Sequence, residues 1–148
     1  MPGDESVRMH AASLAVEQWR GDFPHDTQSW YLDLYAAADG ADGLPVVLAA
    51  MEDAVFLGTG SLIADDELPG APEPGPWIAA LYVEQSARRR GIGGALVGAL
   101  VERARSLGHR EVYLYTEHGE TWYHRLGWTS LRTARLADHD VVVMSRRT

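Results

Sequence analysis

From residue 44 onward the chain alternates between two kinds of segment. Short runs are rich in β-branched and aromatic residues, and other stretches return an apolar residue every three or four positions. Pro45 to Met51 and Val55 to Ile63 are β-rich and separated by Glu52-Asp53-Ala54, which predicts a hairpin. Trp77 to Val83 and Glu111 to Thr116 predict two further strands, and Val141 to Met144 a last one. Between Val83 and Glu111, Ile92, Leu96, Ala99, Leu100, Ala104 and Leu107 recur at helical spacing. That face is expected to pack on the sheet, with Gly108 as the left-handed cap. Upstream, Ala11 to Trp19 reads as a short amphipathic helix, stopped by Gly21 and Pro24. Asp26 or Thr27 caps a second helix through Trp30, Leu34 and Ala38, closed by Gly40. The expectation is an α/β fold with three layers, α-β-α, around a mixed central sheet, in one domain over residues 1–148.

Two interruptions matter more than the periodic segments. Asp65 to Pro76 holds four prolines and two glycines in twelve residues, which excludes regular structure. A loop of that length is expected to be a functional lid or disordered. The other interruption is Ala87-Arg88-Arg89-Arg90-Gly91-Ile92-Gly93-Gly94, ahead of the long helix. The first amides of a helix lack intrahelical partners and the macrodipole is positive there, so the segment is suited to phosphate groups. A Walker loop needs a lysine, and the chain has none. The dinucleotide fingerprint fits Gly91 and Gly93 but finds Leu96 at its third glycine. Glu111, at about the right distance for the ribose-binding acid, begins the next strand instead of ending it.

The remaining pattern, Arg-x-x-Gly-x-Gly at Arg88, Gly91 and Gly93, resembles the acyl-CoA pyrophosphate loop of the GCN5-related N-acetyltransferase (GNAT) superfamily. The resemblance continues in order. Trp77 to Val83 looks like that family's fourth strand and Glu111 to Thr116 like its fifth. Trp122-Tyr123-His124-Arg125-Leu126-Gly127-Trp128 is similar to its "F-Y-x-x-x-G-F" helix and turn. Matching elements run from about residue 44 to 146. The Pro76 to Val83 and Trp122 to Trp128 segments also resemble a branch that includes the animal actin N-terminal acetyltransferase. Actin's acidic N-terminus suits the acidic half of this chain poorly, so its substrate is not carried over.

Composition then adds limits. With 148 residues, 46% of them apolar, one globular core is affordable. No signal peptide or bilayer-length apolar run is present, so the cytoplasm is the expected location. Zero cysteines exclude disulfides and a cysteine nucleophile. Charge is unevenly spread: fourteen acids and two arginines precede Trp77, for a net −12, while the rest carries +4 of the total −8. The basic half is what a polyanionic CoA requires, and the acidic half argues against nucleic acid.

The resemblance implies acetyl-CoA as the donor and no metal. Arg88, Arg89, Arg90, Gly91, Ile92, Gly93 and Gly94 would hold its pyrophosphate, with the choice among the arginines left open. Leu81 and Val83, with Tyr82 between them, would offer backbone groups to the pantetheine arm, and Thr116 stands where many relatives carry Asn. Tyr123 matches the tyrosine that protonates the leaving thiolate, with a core aromatic as the plainer alternative. No carboxylate lies in Trp77 to Val83 to act as base; Glu117 and His118 are the nearest candidates, ahead of His25, Asp26, His124 and His139. A site without an evident base favours α-amines over lysine. At neutral pH roughly a tenth of an α-amine is unprotonated, against under about a thousandth of a lysine. The expected activity is direct acetyl transfer to a primary amine in a ternary complex. The acceptor is a small molecule or peptide, with a cationic amine as the sharper expectation. A non-catalytic acyl-CoA-binding regulatory module and an interaction protein whose loop binds nothing are the rivals. No membrane partner is expected, and a homodimer stays open.

Overall fold

Among residues 43–53 and 55–148, which the computed structural model describes, every strand expected from the sequence is present. The two helices expected over Ala11 to Trp19 and up to Gly40 lie outside the described residues. Strands β1 (Val46–Glu52) and β2 (Val55–Ile63) form the expected hairpin, with Glu52 opposite Val55 and Val46 opposite Leu62. Asp53 turns the chain at φ 54°, a left-handed conformation that aspartate tolerates better than most side chains. Next come β3 (Trp77–Val83), α1 (Ile92–Ser106), β4 (Glu111–Thr116) and α2 (Glu120–Arg125), then β5 (Thr129–Leu136) and β6 (His139–Arg147). The six strands make one sheet in the order β1-β2-β3-β4-β6-β5. Only β3 and β4 are parallel, because α1 carries the chain back between them. The expected α/β class with a mixed sheet is the observed one.

Strand β5 is absent from the sequence reading, and its burial explains why. Its exposed and half-buried positions alternate until Leu136, as suits an edge strand with little apolar side chain to bury. Pairing with β6, from Thr129 opposite Ser145 to Leu136 opposite His139, holds it in place.

One face of the sheet carries both described helices. Leu62, Ile78, Val112, Leu114 and Met144 pack there against Val97, Leu100 and Ala104 of α1, with Tyr123 and Trp128 completing the cluster. Helix α1 keeps its expected spacing, but its buried stripe is Leu96, Val97, Leu100, Val101 and Ala104. Ala99 faces solvent instead. Burying Val97 and Val101 removes more apolar area from water than an alanine can, at about 1.5–3 kcal/mol for a fully buried side chain. Its end is built as expected: Gly108, at φ 90°, donates to the Arg105 carbonyl, and the His109 amide reaches back to that of Ala104.

The other face gathers Ile63, Leu68, Trp77, Tyr113, Leu136, Val141 and Val143. Here the proline-rich loop corrects an expectation. It has no regular structure, but it packs on the sheet and is not disordered. Leu68 is buried in this second cluster, and Tyr115 Oη donates to the Asp66 carbonyl at 3.2 Å. Glu73 takes a two-pronged ion pair from Arg132 of β5, at 2.8 and 2.9 Å. Fork-to-fork pairs of this kind fix position as well as charge.

Candidate functional site

The site begins where the sheet fails to continue. Strands β3 and β4 pair at a single position, Trp77 opposite Tyr113, supported by the Tyr113 amide donating to the Pro76 carbonyl at 3.0 Å. Ala80 then takes φ 53°, a conformation that costs a side-chain-bearing residue energy, and the β2–β3 register shifts beside it. Past this irregularity β3 has no ladder to β4, so Leu81, Tyr82 and Val83 present an edge open to a ligand.

That edge runs directly into the glycine turn. Gly91 is the N-cap of α1, at φ 78° and ψ 10°, with no side chain to cap the helix. Any other residue there would be strained. The first intrahelical bond is Ala95 N–H to the Gly91 carbonyl, so the amides of Ile92, Gly93 and Gly94 precede the ladder. Those donors and the positive end of a 15-residue helix face one place.

The three arginines have different roles. Arg88 Nε donates to the Val83 carbonyl at 3.0 Å and its guanidinium lies over the Tyr82 ring, 5.8 Å from the centroid. It braces strand against turn. Arg89 sits in the left-handed region at φ 66° and is exposed. Arg90 turns away and pairs with Glu52 at the end of β1.

Between strand edge and helix start lies a groove of about 480 Å³. Leu81 to Val83, Arg88, Arg89 and Gly91 to Gly94 line it, so most of the expected cofactor residues are brought together. Arg90, Thr116 and Tyr123 are not in its lining. The sequence reading missed Ala87, Trp122 and Leu126, which are. The sequence places Trp122 in the aromatic motif with Tyr123 and gives it no binding role; its signal is a tryptophan on a six-residue helix whose neighbour fills the core.

Gly93 and Gly94 differ in kind. A Cβ on Gly93 would come within a tight 3.3 Å of the Trp122 ring and an ordinary 3.6 Å of Val83 Cγ2, so a side chain there would press on the ring. On Gly94 it would meet only Leu126, at an ordinary 3.6 Å.

Tyr123 is 9% exposed and stands edge-on to Trp122 and Trp128, with ring centroids 4.8 and 5.9 Å away. Burial pushes its phenol up to about 12, so it stays protonated at any working pH. Thr116 Oγ1 accepts the Gly119 amide at 2.8 Å and shapes the turn into α2. Just past β4, Glu117 lies 3.5 Å from His118 Nε2 and 3.6 Å from His139 Nε2. His124 instead anchors α2: Nδ1 is 3.0 Å from the Trp128 carbonyl and Nε2 is 3.0 Å from Ser130 Oγ, which donates to Glu120 at 2.6 Å. His25 and Asp26 lie outside the described residues. Among the described residues no three His, Asp or Glu side chains are grouped to hold a metal, and no helix is long and apolar enough to cross a membrane.

Chemically, the groove offers amide donors and guanidinium charge at one end and strand edge along its wall. Comparison with known proteins agrees with that reading. A family model described as "Acetyltransferase (GNAT) family" matches residues 11–128. No curated protein matches the chain. Among solved structures, the chain is similar to an aminoglycoside 6'-N-acetyltransferase complexed with coenzyme A, at 18% identity and TM-score 0.74, covering 97% of this chain and 92% of that one. The aminoglycoside 6'-N-acetyltransferase from Enterococcus faecium gives 17% identity and TM-score 0.74, covering 99% and 93%. The protein yncA from Salmonella typhimurium, solved with its cofactor acetyl-CoA, gives 18% and 0.72, covering 98% and 90%. At such identities the likeness is one of fold.

Proposed function

The chain belongs to the acetyltransferase (GNAT) family, and on that premise we propose that it transfers the acetyl group of acetyl-CoA to a primary amine by direct attack in a ternary complex. The observation that carries this reading is the uncapped start of α1 opening into a groove walled by the unpaired edge of β3. Pyrophosphate on the amides of Ile92 to Gly94, with Arg89 beside them, orients the donor so that its amide-bearing arm runs along Leu81 to Val83. Arg88 holds that strand and turn in register. Arg90, engaged with Glu52, supports the loop from behind.

Acetyl transfer forms a C–N bond, breaks the C–S bond and moves one proton from nitrogen to sulfur. Tyr123 is the group we assign to the departing sulfur. A phenol held near 12 is a weaker acid than an ordinary thiol, near 8.5, so Tyr123 steadies the departing thiolate by a hydrogen bond, and the sulfur takes its proton from solvent as the base releases the amine's proton there. Glu117 is the base we assign to the amine, because it stands just past the end of β4, the strand that parts from β3, and is half-exposed. The acceptor itself is a cationic amine entering from the acidic half of the sequence. The aminoglycoside 6'-N-acetyltransferases of similar fold, named for such an acceptor, support this choice.

The test is thiol release from acetyl-CoA across a panel of α-amines, polyamines, aminoglycosides and acidic peptides. Turnover with cationic amines is expected. Tight acetyl-CoA binding with no turnover on the whole panel would leave a regulatory module, and no binding at all would remove the donor assignment.

A further inference from the structure

Trp122 is the large side chain of the groove that phosphate binding does not account for. It is 36% exposed although Tyr123, next to it, is a core residue, so the fold presents the ring without burying it. On one side Tyr123 fixes it edge-on at 4.8 Å. On another it crosses the first turn of α1, where a Cβ at Gly93 would lie a tight 3.3 Å from the ring. Leu126, one turn further along α2, continues the same wall toward Gly94. The phosphate seat is therefore flanked twice, by β3 through Val83 and by an aromatic ring through Trp122. Hydrogen bonding along β3 suits the amide-bearing arm of the donor. A partly exposed indole that lines the same groove as Arg88 and Arg89 suits a purine base whose phosphates rest on the neighbouring amides.

We propose that Trp122 is the stacking platform for the adenine of the donor. The groove then selects donors that carry a nucleotide over the same acyl-phosphopantetheine arm without one. This rests on the acetyl-CoA reading, and the experiment separates the two. Calorimetric titrations would compare CoA, 3'-phosphoadenosine 5'-diphosphate (nucleotide without arm) and 4'-phosphopantetheine (arm without nucleotide). The proteins are the wild type, Trp122→Leu, which keeps apolar bulk without a π-face, and Trp122→Phe, which keeps a ring. Trp122→Leu should weaken CoA and the nucleotide about 5- to 100-fold, the range of one base stacked on one ring. Phosphopantetheine should change less than about twofold, and Trp122→Phe should recover most of the loss. An equal loss for all three probes, a loss confined to phosphopantetheine, or full binding by Trp122→Leu would overturn the platform while leaving the donor assignment standing. A wild type that binds neither CoA nor the nucleotide would overturn both.

Discussion

Arg89 and Arg132 are the same residue type in opposite circumstances. Arg132 reaches from β5 to a carboxylate only 9% exposed, Glu73, which its guanidinium holds below the usual carboxylate range. It is saturated, and its work is to fasten the proline-rich loop to the sheet. Arg89 stands in a strained turn beside open helix amides, and Arg90, next in sequence, is drawn off by Glu52. A guanidinium becomes an anion site only where the fold has kept acids away from it and placed other donors beside it. Counting charges along the chain could not make that distinction, and the acidic half shows the same lesson. Glu73 counts toward its −12 but offers an incoming cation little, since its charge is already met.

The comparison can be broken at four places. The largest effect is expected next to the open region. Tyr123→Phe removes one hydroxyl and should lower kcat by about 10²- to 10⁴-fold, with acetyl-CoA affinity nearly unchanged. Undiminished turnover in steady-state assays would make Tyr123 a packing residue. The pH behaviour follows from burial raising its phenol to about 12. The group is protonated below that value, so it adds no falling limb to the rate profile near neutrality. Its share of stability is complete below pH 10 and lost as pH rises through about 12, a loss on the order of 3 kcal/mol. Chemical denaturation of both proteins at alkaline pH measures the difference.

Second, acetyl-CoA at about 100 times its dissociation constant should stabilise the wild type by about 2.7 kcal/mol. Gly93→Glu should abolish this, placing bulk under Trp122 and negative charge among the phosphates. Gly94→Ala, with only an ordinary contact to Leu126, should retain it. Ligand-induced shifts in Tm test the pair, and equal loss in both variants would mean the turn is not a phosphate seat.

At the saturated end, Arg132→Met strands the Glu73 carboxylate and should cost about 1–3 kcal/mol by urea unfolding. Because the Glu73 pKa is lowered in the fold, the cost should be present above about pH 4.5, its ordinary value, and should shrink as pH falls below that value. A cost independent of pH would assign it to lost packing. The smallest effect concerns the surface acids. Neutralising Asp65, Asp66 and Glu67 together should raise KM for a cationic amine by about two- to threefold at low salt and blunt its salt dependence. Glu73→Gln should leave KM alone. Equal responses would erase the distinction between the ion-paired Glu73 and the carboxylates that precede it in the loop.

Local chemistry made much of this molecule legible in advance. The β1–β2 hairpin, strands β3 and β4, helix α1 and its Gly108 cap follow from periodicity and turn residues, which act over a few positions. Gly91 and Gly93 marked the helix start because backbone needs are local too. Strand β5 escaped because an edge strand need not be apolar, and its partner β6 lies beyond it in the chain. The stripe of α1 moved from Ala99 to Val97 and Val101 because the sheet chose the larger side chains. Likewise, the proline-rich loop read as open until Leu68 and Glu73 found partners on β4, β5 and the second core. Which arginine faces the groove, that Tyr123 is largely buried beside it, and that Trp122 stands over Gly93 are all tertiary decisions. Sequence alone marked which groups suit a phosphate; only long-range packing decided which of them line the groove, because desolvation and pairing depend on residues distant in the chain.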